Sequence, residues 1–246
     1  ILNNTEKIKF EIIFIIPKKI FSKLIKFKKF KNIRVVTSNN FNQVKQRYEG
    51  IKYAKYNYIL QLDDDIQLEE KFLTKIYMST KKLKGNFCLS PIFRDNFTKK
   101  IIYKEVKALR RLLYLLLFQI DITKSHGKIS NFGLAFDFSP HLKKIQSVEW
   151  LPGGCMLTKK NYYKNYNVKI FHNYEKAYYE DVYFSLRSGF KKYIDYELSA
   201  YLNYEIISEK LALQLKYVYS IYKLNKKKNI IKFIIFVLFK CLKKIF

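Results

Sequence analysis

Asn57-Tyr58-Ile59-Leu60-Gln61-Leu62 runs directly into Asp63-Asp64-Asp65. The first six residues have the aromatic and aliphatic character of a strand. Three consecutive carboxylates at its end are costly, because adjacent like charges repel and each raises the pKa of the others. A divalent cation removes that cost. Carboxylate oxygens are the donors that Mg²⁺ and Mn²⁺ prefer, usually with substrate phosphates completing the shell. In an extended segment alternate residues share a face, so Asp63 and Asp65 are expected to point one way and Asp64 the other. The other reading of the same residues is a solvated acidic turn capping a helix that starts near Leu68.

Upstream, Phe10-Glu11-Ile12-Ile13-Phe14-Ile15-Ile16 suits a buried parallel strand that stops at Pro17. Ile20, Leu24 and Phe27 lie at helical spacing among lysines and predict an amphipathic helix over 18–31. Asn32-Ile33-Arg34-Val35-Val36-Thr37 is a second strand with Ser38-Asn39-Asn40 as its loop. Asn42 can then cap a helix with Val44, Tyr48 and Ile51 on one face. Strand, helix, strand, helix, strand in this order predicts an open parallel α/β sheet. Such sheets bind ligands at the carboxyl ends of their strands, where Ser38-Asn39-Asn40 and the three aspartates fall.

Downstream, a helix is predicted over 68–83, and residues 86–138 show no clear pattern except helical spacing of Val106, Leu109, Leu113, Leu116 and Ile120. Arg110 and Arg111 cluster there with Lys104 and Lys107. Trp150-Leu151-Pro152-Gly153-Gly154 is a loop, and Tyr179-Glu180-Asp181 opens a helix that includes Arg187. The domain division expected is one α/β domain over 1–205 and a basic amphipathic helical tail over 206–246. There is no internal repeat.

Apolar residues make up 49% of the 246 and aromatics 17%, with 21 Tyr and 21 Phe, which excludes a disordered chain. The formal charge of +28 would ordinarily point to nucleic acid or an anionic membrane surface. Only six of the 48 basic residues are Arg, the side chain that reads phosphate and base edges bidentately. The charge is therefore read chiefly as the Lys-rich usage of an AT-rich genome, then as a membrane-surface feature, and nucleic acid is not expected as a partner. Cys88, Cys155 and Cys241 are widely spaced and read as reduced cytosolic thiols. The first residue is Ile rather than Met, so a natural start further upstream is expected.

In the tail, Lys226-Lys227-Lys228 precede the mostly apolar residues 230–239, and Lys240, Lys243 and Lys244 follow them. Ten helical residues reach about 15 Å, half of a bilayer's hydrocarbon core, so the segment cannot span. Two placements are open. It lies in an anionic headgroup interface with Phe233, Ile234 and residues 236–239 dipping in, or it packs as a helix on the main domain.

Leu62-Asp63-Asp64-Asp65-Ile66 resembles the Asp-x-Asp motif of the family 2 glycosyltransferases, and Glu180-Asp181 with Ser185 and Arg187 is similar to that family's Glu-Asp motif. Trp150-Leu151-Pro152-Gly153-Gly154-Cys155-Met156 resembles the glycine-rich stretch that precedes it, and residues 43–54, with Arg47 and Gly50, the helix before Asp-x-Asp. The likeness runs over roughly residues 8–205. It implies a GT-A fold, Rossmann-like, with a mostly parallel central sheet flanked by helices. It also implies a hexosyltransferase-like enzyme that uses a nucleotide-sugar donor, Mn²⁺ or Mg²⁺, and a glycan or lipid-linked saccharide as acceptor, as in surface polysaccharide or lipooligosaccharide biosynthesis.

The resemblance assigns the metal to Asp63 and Asp65, donor sugar or ribose to Asp64, and diphosphate to Arg47. Trp150, Gly153, Gly154 and Arg187 become substrate contacts, with Trp150, the only Trp, open between stacking on a sugar and packing in the core. Asp181 becomes the base of an inverting displacement, with Glu180 as its alternative. Family members commonly carry an Asp after the second strand for the nucleotide; Ser38 and Asn39 stand there in this chain. The implied location is cytoplasmic, peripheral on the inner face of the cytoplasmic membrane. The competing function is a basic membrane-surface or nucleic-acid-binding protein whose acidic motifs are structural. A nucleotidyltransferase would place a glycine-rich phosphate loop after the first strand, where this chain has Pro17-Lys18-Lys19.

Overall fold

The computed structural model describes residues 8–21, 25–39, 42–142, 144–165, 180–203, 211–224 and 228–242. Strand β1 (Ile12–Pro17) pairs in parallel with β2 (Ile33–Ser38), from Ile12 opposite Ile33 to Pro17 opposite Ser38. Among the described residues of the crossover between them are two 3-10 segments, Lys18–Ile20 and Ile25–Lys29, where the sequence predicts a single helix over 18–31, of which residues 22–24 lie outside the described ones. Lysines at 18, 19, 23, 26, 28, 29 and 31, with no acid among them, repel at the spacings where helical neighbours meet. Phe27 nonetheless packs on Phe14 of β1, ring centroids 5.8 Å apart.

Helix α1 (Gln43–Tyr53) starts as expected at Asn42, whose side chain accepts the Lys45 N–H at 3.0 Å. Val44 and Ile51 are buried and Tyr48 packs beside them. Gly50 brings the helix onto β1, since a Cβ there would lie 2.9 Å from Ile15 Cγ1.

The larger sheet contains β3 (Tyr58–Leu62), β4 (Gln67–Leu68), β5 (Phe87–Asp95), β6 (Ile145–Val148), β7 (Cys155–Lys159) and β8 (Lys191–Leu202). Its order is β3-β7-β5-β8-β4, with β6 also on β8. The α/β class and the central sheet flanked by helices stand. Strand direction differs from the mostly parallel expectation. Among the described residues only β1–β2 and β5–β8 are parallel, and β3–β7, β5–β7, β4–β8 and β6–β8 are antiparallel. The strand-helix alternation that predicts parallel pairing ends at β3, and later strands return through long excursions. Strand β5 is buried from Phe87 to Phe93 and carries Pro91 at a register shift against β8. A proline cannot donate to a ladder and is tolerated in a central strand at such an irregularity.

Helix α2 (Phe72–Lys81) is shorter than the expected 68–83, because Gln67 and Leu68 pair as β4 and Lys71 takes a left-handed conformation. Helices α3 (Ala108–Phe118), α4 (Glu180–Arg187), α5 (Leu211–Leu224) and α6 (Ile230–Leu242) complete the described elements. One core cluster joins α1, β5, β7, Trp150, Leu151 and α4, and a second lies where α2 covers the sheet. The third is mostly aromatic: Tyr114 and Phe118 of α3, Phe132, Phe136, Val218 of α5 and Phe236 of α6. Residues 206–246 thus contribute α5 and α6 to shared cores, α5 through Val218 and Ile221. The α3 stripe is rotated from expectation, with Tyr114 and Phe118 inside while Leu109 and Leu116 are 70% and 69% exposed. No helix among the described residues is long and apolar enough to cross a membrane.

Candidate active site

Pairing of β3 with β7 sets Leu62 opposite Cys155, and the Asp63 N–H donates to the Gly154 carbonyl at 2.9 Å. The end of β3 is thereby stitched to the double-glycine loop. Helix α1 reaches the same point with two side chains one turn apart. Gln43 Nε2 lies 3.4 Å from Asp63 Oδ1, and the Arg47 guanidinium donates to that oxygen. The other arm of Arg47 donates to Glu180 Oε1 at 2.8 Å. One guanidinium therefore ties Asp63, at the end of β3, to the first residue of α4.

This bridge is well buried, with side-chain exposures of 13% for Arg47, 23% for Asp63 and 3% for Glu180. Burial pushes the Asp63 carboxyl up, and the Arg47 charge pulls it back only in part. Burial also works against the Arg47 charge, but Glu180 and Asp63 together hold the guanidinium above its ordinary value. Removing one partner of such an arrangement leaves a buried charge uncompensated. Arg47→Met is expected to cost about 3 to 5 kcal/mol of stability, read as a lower urea midpoint. Arg47→Lys should recover only part of it, because a single ammonium lacks the fork that spans both acids. A midpoint within error of wild type for Arg47→Met would mean that the bridge carries no net stability.

Asp181 lies beside the bridge on α4. Burial raises its carboxyl to about 6, with Glu180 adding to the rise. The Val182 N–H, Arg47 and the Gly153 N–H oppose that rise, the Val182 N–H donating to Oδ1 at 2.8 Å. A carboxyl so placed changes protonation close to neutral pH, as a general base or acid requires. It lines a narrow cavity with Gln61, Leu151, Gly153, Met156, Tyr162, Glu180 and Phe184.

The two glycines lie close to both acidic motifs, and only at Gly154 would a side chain force a neighbour to move. A Cβ on Gly153 would sit 3.4 Å from Asp181 Cβ and 3.6 Å from an Arg47 guanidinium nitrogen. A Cβ on Gly154 would sit 2.8 Å from Ile66 Cδ1 and 3.5 Å from Asp63 Oδ2. The loop passes between the two acidic motifs and is held from both sides. Gln61 donates to the Gly153 carbonyl and accepts from the Tyr163 hydroxyl at 3.3 Å. Ser185 of α4 accepts the Leu151 N–H at 3.2 Å. Gln61 and Gln43 are site residues beyond those the sequence predicts. A glutamine inside an otherwise apolar strand is itself a signal, since a buried amide must find partners.

Asp64 and Asp65 are exposed on a turn, which the Ile66 N–H closes onto the Asp63 carbonyl at 3.4 Å. The extended alternation expected of the three aspartates is thus replaced by one inward carboxylate on Arg47 and two outward ones. Among the described residues no group of three or more His, Cys, Asp or Glu is gathered to hold a metal alone. The donors present do fit a hard cation shared with phosphate oxygens, because Mg²⁺ and its like are usually held by only one or two carboxylates plus substrate. Asp65, Asp64 and the Asp63 Oδ2 are the oxygens open to that role.

Other expected contacts fall elsewhere. Trp150 is a core residue, its indole N–H donating to the Phe136 carbonyl at 3.0 Å and its ring 4.8 Å from Phe138, so of its two readings core packing holds and a substrate contact is corrected. Arg187 is exposed at the last turn of α4, over the Tyr183 ring at 5.5 Å. Seven residues of helix put it about 10 Å from Glu180 along the axis, so it is not brought to the carboxylates. Ser38 is buried and Asn39 exposed at the carboxyl end of β2, where the sequence placed them, while Asn40 lies outside the described residues. Cys155, next to Gly154, is fully buried, and burial holds its thiol far from ionisation. It is no thiolate nucleophile.

The model of glycosyl transferase family 2 matches residues 16–139, about half of the chain. The match takes in Arg47 and the three aspartates, and the double glycine and Glu180-Asp181 lie beyond it. No curated protein matches the chain. Among solved structures, A197 from STIV aligns over 80% of this chain and 87% of its own at 14% identity and a TM-score of 0.43. GalNAc-T7, solved with UDP, GalNAc and Mn²⁺, aligns over 89% of this chain at 11% identity and a TM-score of 0.52. The chain spans 44% of that structure's length, and the likeness is one of fold.

Proposed function

Since the chain belongs to glycosyl transferase family 2, we propose that it moves a hexosyl group from a nucleotide-diphosphate sugar to a hydroxyl of a glycan or lipid-linked saccharide, by one displacement with inversion. Assembly of a surface polysaccharide or lipooligosaccharide is the setting this reading favours. The observation that carries it is the Arg47 bridge from Asp63 to Glu180, with the raised Asp181 carboxyl beside it and the double glycine between. A structural cap would need neither the burial nor the bridge.

The chemical difficulty is charge developing on the departing diphosphate. Asp65, Asp64 and the Asp63 Oδ2 would hold Mn²⁺ or Mg²⁺ there, and such an ion supplies Lewis-acid stabilisation of phosphate oxygens. Arg47 adds a fixed positive charge from within the protein. Glycines 153 and 154 would present bare backbone to the donor between the two acidic motifs. Asp181 takes the proton of the acceptor hydroxyl as its oxygen attacks the anomeric carbon, opposite the bond to the diphosphate. That bond's electron pair leaves with the phosphate oxygen. Glu180 is committed to Arg47 and nearly fully buried, which makes Asp181 the better base of the two.

The test is a panel of UDP-, GDP- and dTDP-sugars, with Mn²⁺ or with chelator. The proposal expects metal-dependent release of nucleoside diphosphate from at least one donor, and thermal stabilisation by that donor with Mn²⁺. Neither effect from any donor, in a protein that melts cooperatively, would overturn it.

A further inference from the structure

Glycine restricts φ and ψ least of all residues, so two in succession do little by themselves to fix the direction of their peptides. Gly153 and Gly154 are nonetheless held at both carbonyls, and from one strand. The Gly154 carbonyl accepts the backbone N–H of Asp63, next to the β3–β7 pair of Leu62 and Cys155. The Gly153 carbonyl lies beyond that pairing and is taken by a side chain, the amide of Gln61. At its other end the same residue meets Asp181, the Gly153 N–H reaching that carboxyl. A Cβ built on Gly153 would touch both neighbours, at 3.4 Å from Asp181 Cβ and 3.6 Å from Gln61 Nε2, so the residue sits between the two side chains.

An amide is a costly choice at position 61. Its neighbours on β3, Ile59, Leu60 and Leu62, are aliphatic, and a partly buried amide needs partners at both of its ends. Gln61 has them, with Nε2 donating to the Gly153 carbonyl and Oε1 accepting from the Tyr163 hydroxyl at 3.3 Å. Tyr163 is itself buried, and burial pushes its phenol far above the ordinary value, so it stays a donor. A donor on Oε1 turns the other end of the amide, which can only donate, towards the loop.

We propose that Gln61 is a positioning residue, oriented by Tyr163, that holds Gly153 so that its N–H stays on the Asp181 carboxylate. It acts through the loop, and the N–H that it holds favours the charged form of a carboxyl that burial disfavours. As a role in catalysis this rests on the reading of Asp181 as the base. As a constraint on that carboxyl it stands without it. The charged and titratable groups facing Asp181 are Glu180 beside it, Arg47 from α1 with Asp63 beyond, and the Tyr162 phenol in the same cavity. All four are kept in the variants below.

The measurement is thermal melting of the full chain across the acid-to-neutral range, without donor or metal, for wild type, Asp181→Asn, Gln61→Met and the double variant. In the wild-type background the melting gap between Asp and Asn at 181 opens above the unfolded carboxyl value near 4 and levels off at the folded value, about 6. In the Gln61→Met background it is expected to go on growing for about one more pH unit and to end larger, since a hydrogen bond to a carboxylate is worth about that much. A residue that only braced the fold would lower both members of each pair alike at every pH. The rise of kcat/KM with pH, read with the donor that the panel identifies, should move up by the same amount. A gap that levels off at the wild-type pH would overturn the proposal. Should Gln61→Met fail to melt cooperatively, Tyr163→Phe, which loses a single oxygen, carries the same comparison. A smaller shift in the same direction is then expected, and an unmoved gap overturns the proposal again. A moved gap with no turnover of any donor, or with an unmoved kcat/KM profile, upholds the hold on Asp181 and counts only against that carboxyl as the base.

Discussion

Asp181→Asn is expected to lower turnover by about two to four orders of magnitude, the usual contribution of a general base, and to leave donor binding in place. The substitution keeps the size of the side chain and an oxygen for the Val182 N–H, so the start of α4 and its seat on the Gly153 loop survive. What it removes is proton affinity. In the wild type the base must be ionised, so kcat/KM should climb with pH through about 6, where burial holds this carboxyl, and level off above it. Stability runs the other way. A carboxyl whose pKa rises on folding stabilises the fold while protonated, below its unfolded value near 4, and that contribution is lost as pH rises through about 6. Asp181→Asn should therefore melt higher than wild type at pH 7 to 8, with the gap closing towards pH 4. Survival of turnover in this variant, with Glu180→Gln dead, would exchange the two roles.

The residues that make this experiment worth doing were legible for a local reason. Strand β3 and helix α1 announce themselves through period, an Asn cap and an abrupt change from apolar to acidic, all short-range signals. That Arg47 bridges two acids far apart in sequence is a tertiary fact, although its helical register with Gln43 places both on the side facing Asp63. Strand direction was not legible beyond β3, because β7 pairs with both β3 and β5 and nothing in Cys155-Met156-Leu157-Thr158-Lys159 names its partners. Pro91 argues locally against the strand that the fold builds around it. In α3 nearly every position is apolar, so periodicity cannot choose the inner face; the aromatic rings do, Phe118 by stacking on Phe132 and Tyr114 by meeting Phe136 edge to face. Trp150, beside a double glycine, looked available to a sugar until Phe136 and Phe138 covered it.

The three aspartates should separate by their effects, since the structure gives them different neighbours. Asp65→Ala is expected to abolish metal-stimulated transfer and to change stability by no more than about 0.5 kcal/mol, as surface substitutions do. Its carboxylate is exposed on the turn after β3 and outside the core. Asp63→Ala should lose activity and also melt lower, because it strips Arg47 of one of its two buried partners and leaves a three-charge arrangement as a pair. The comparison is made by titrating Mn²⁺ against initial rates with the donor that the panel identifies, alongside melting curves for both variants. If the exposed carboxylate is a metal ligand, the Asp65→Ala rate equals that of chelated wild type at every Mn²⁺ concentration. A normal Mn²⁺ response in Asp65→Ala would remove it from the site. If Asp64→Ala were then the unresponsive variant, the turn would present the central carboxylate to the cation in place of the last one.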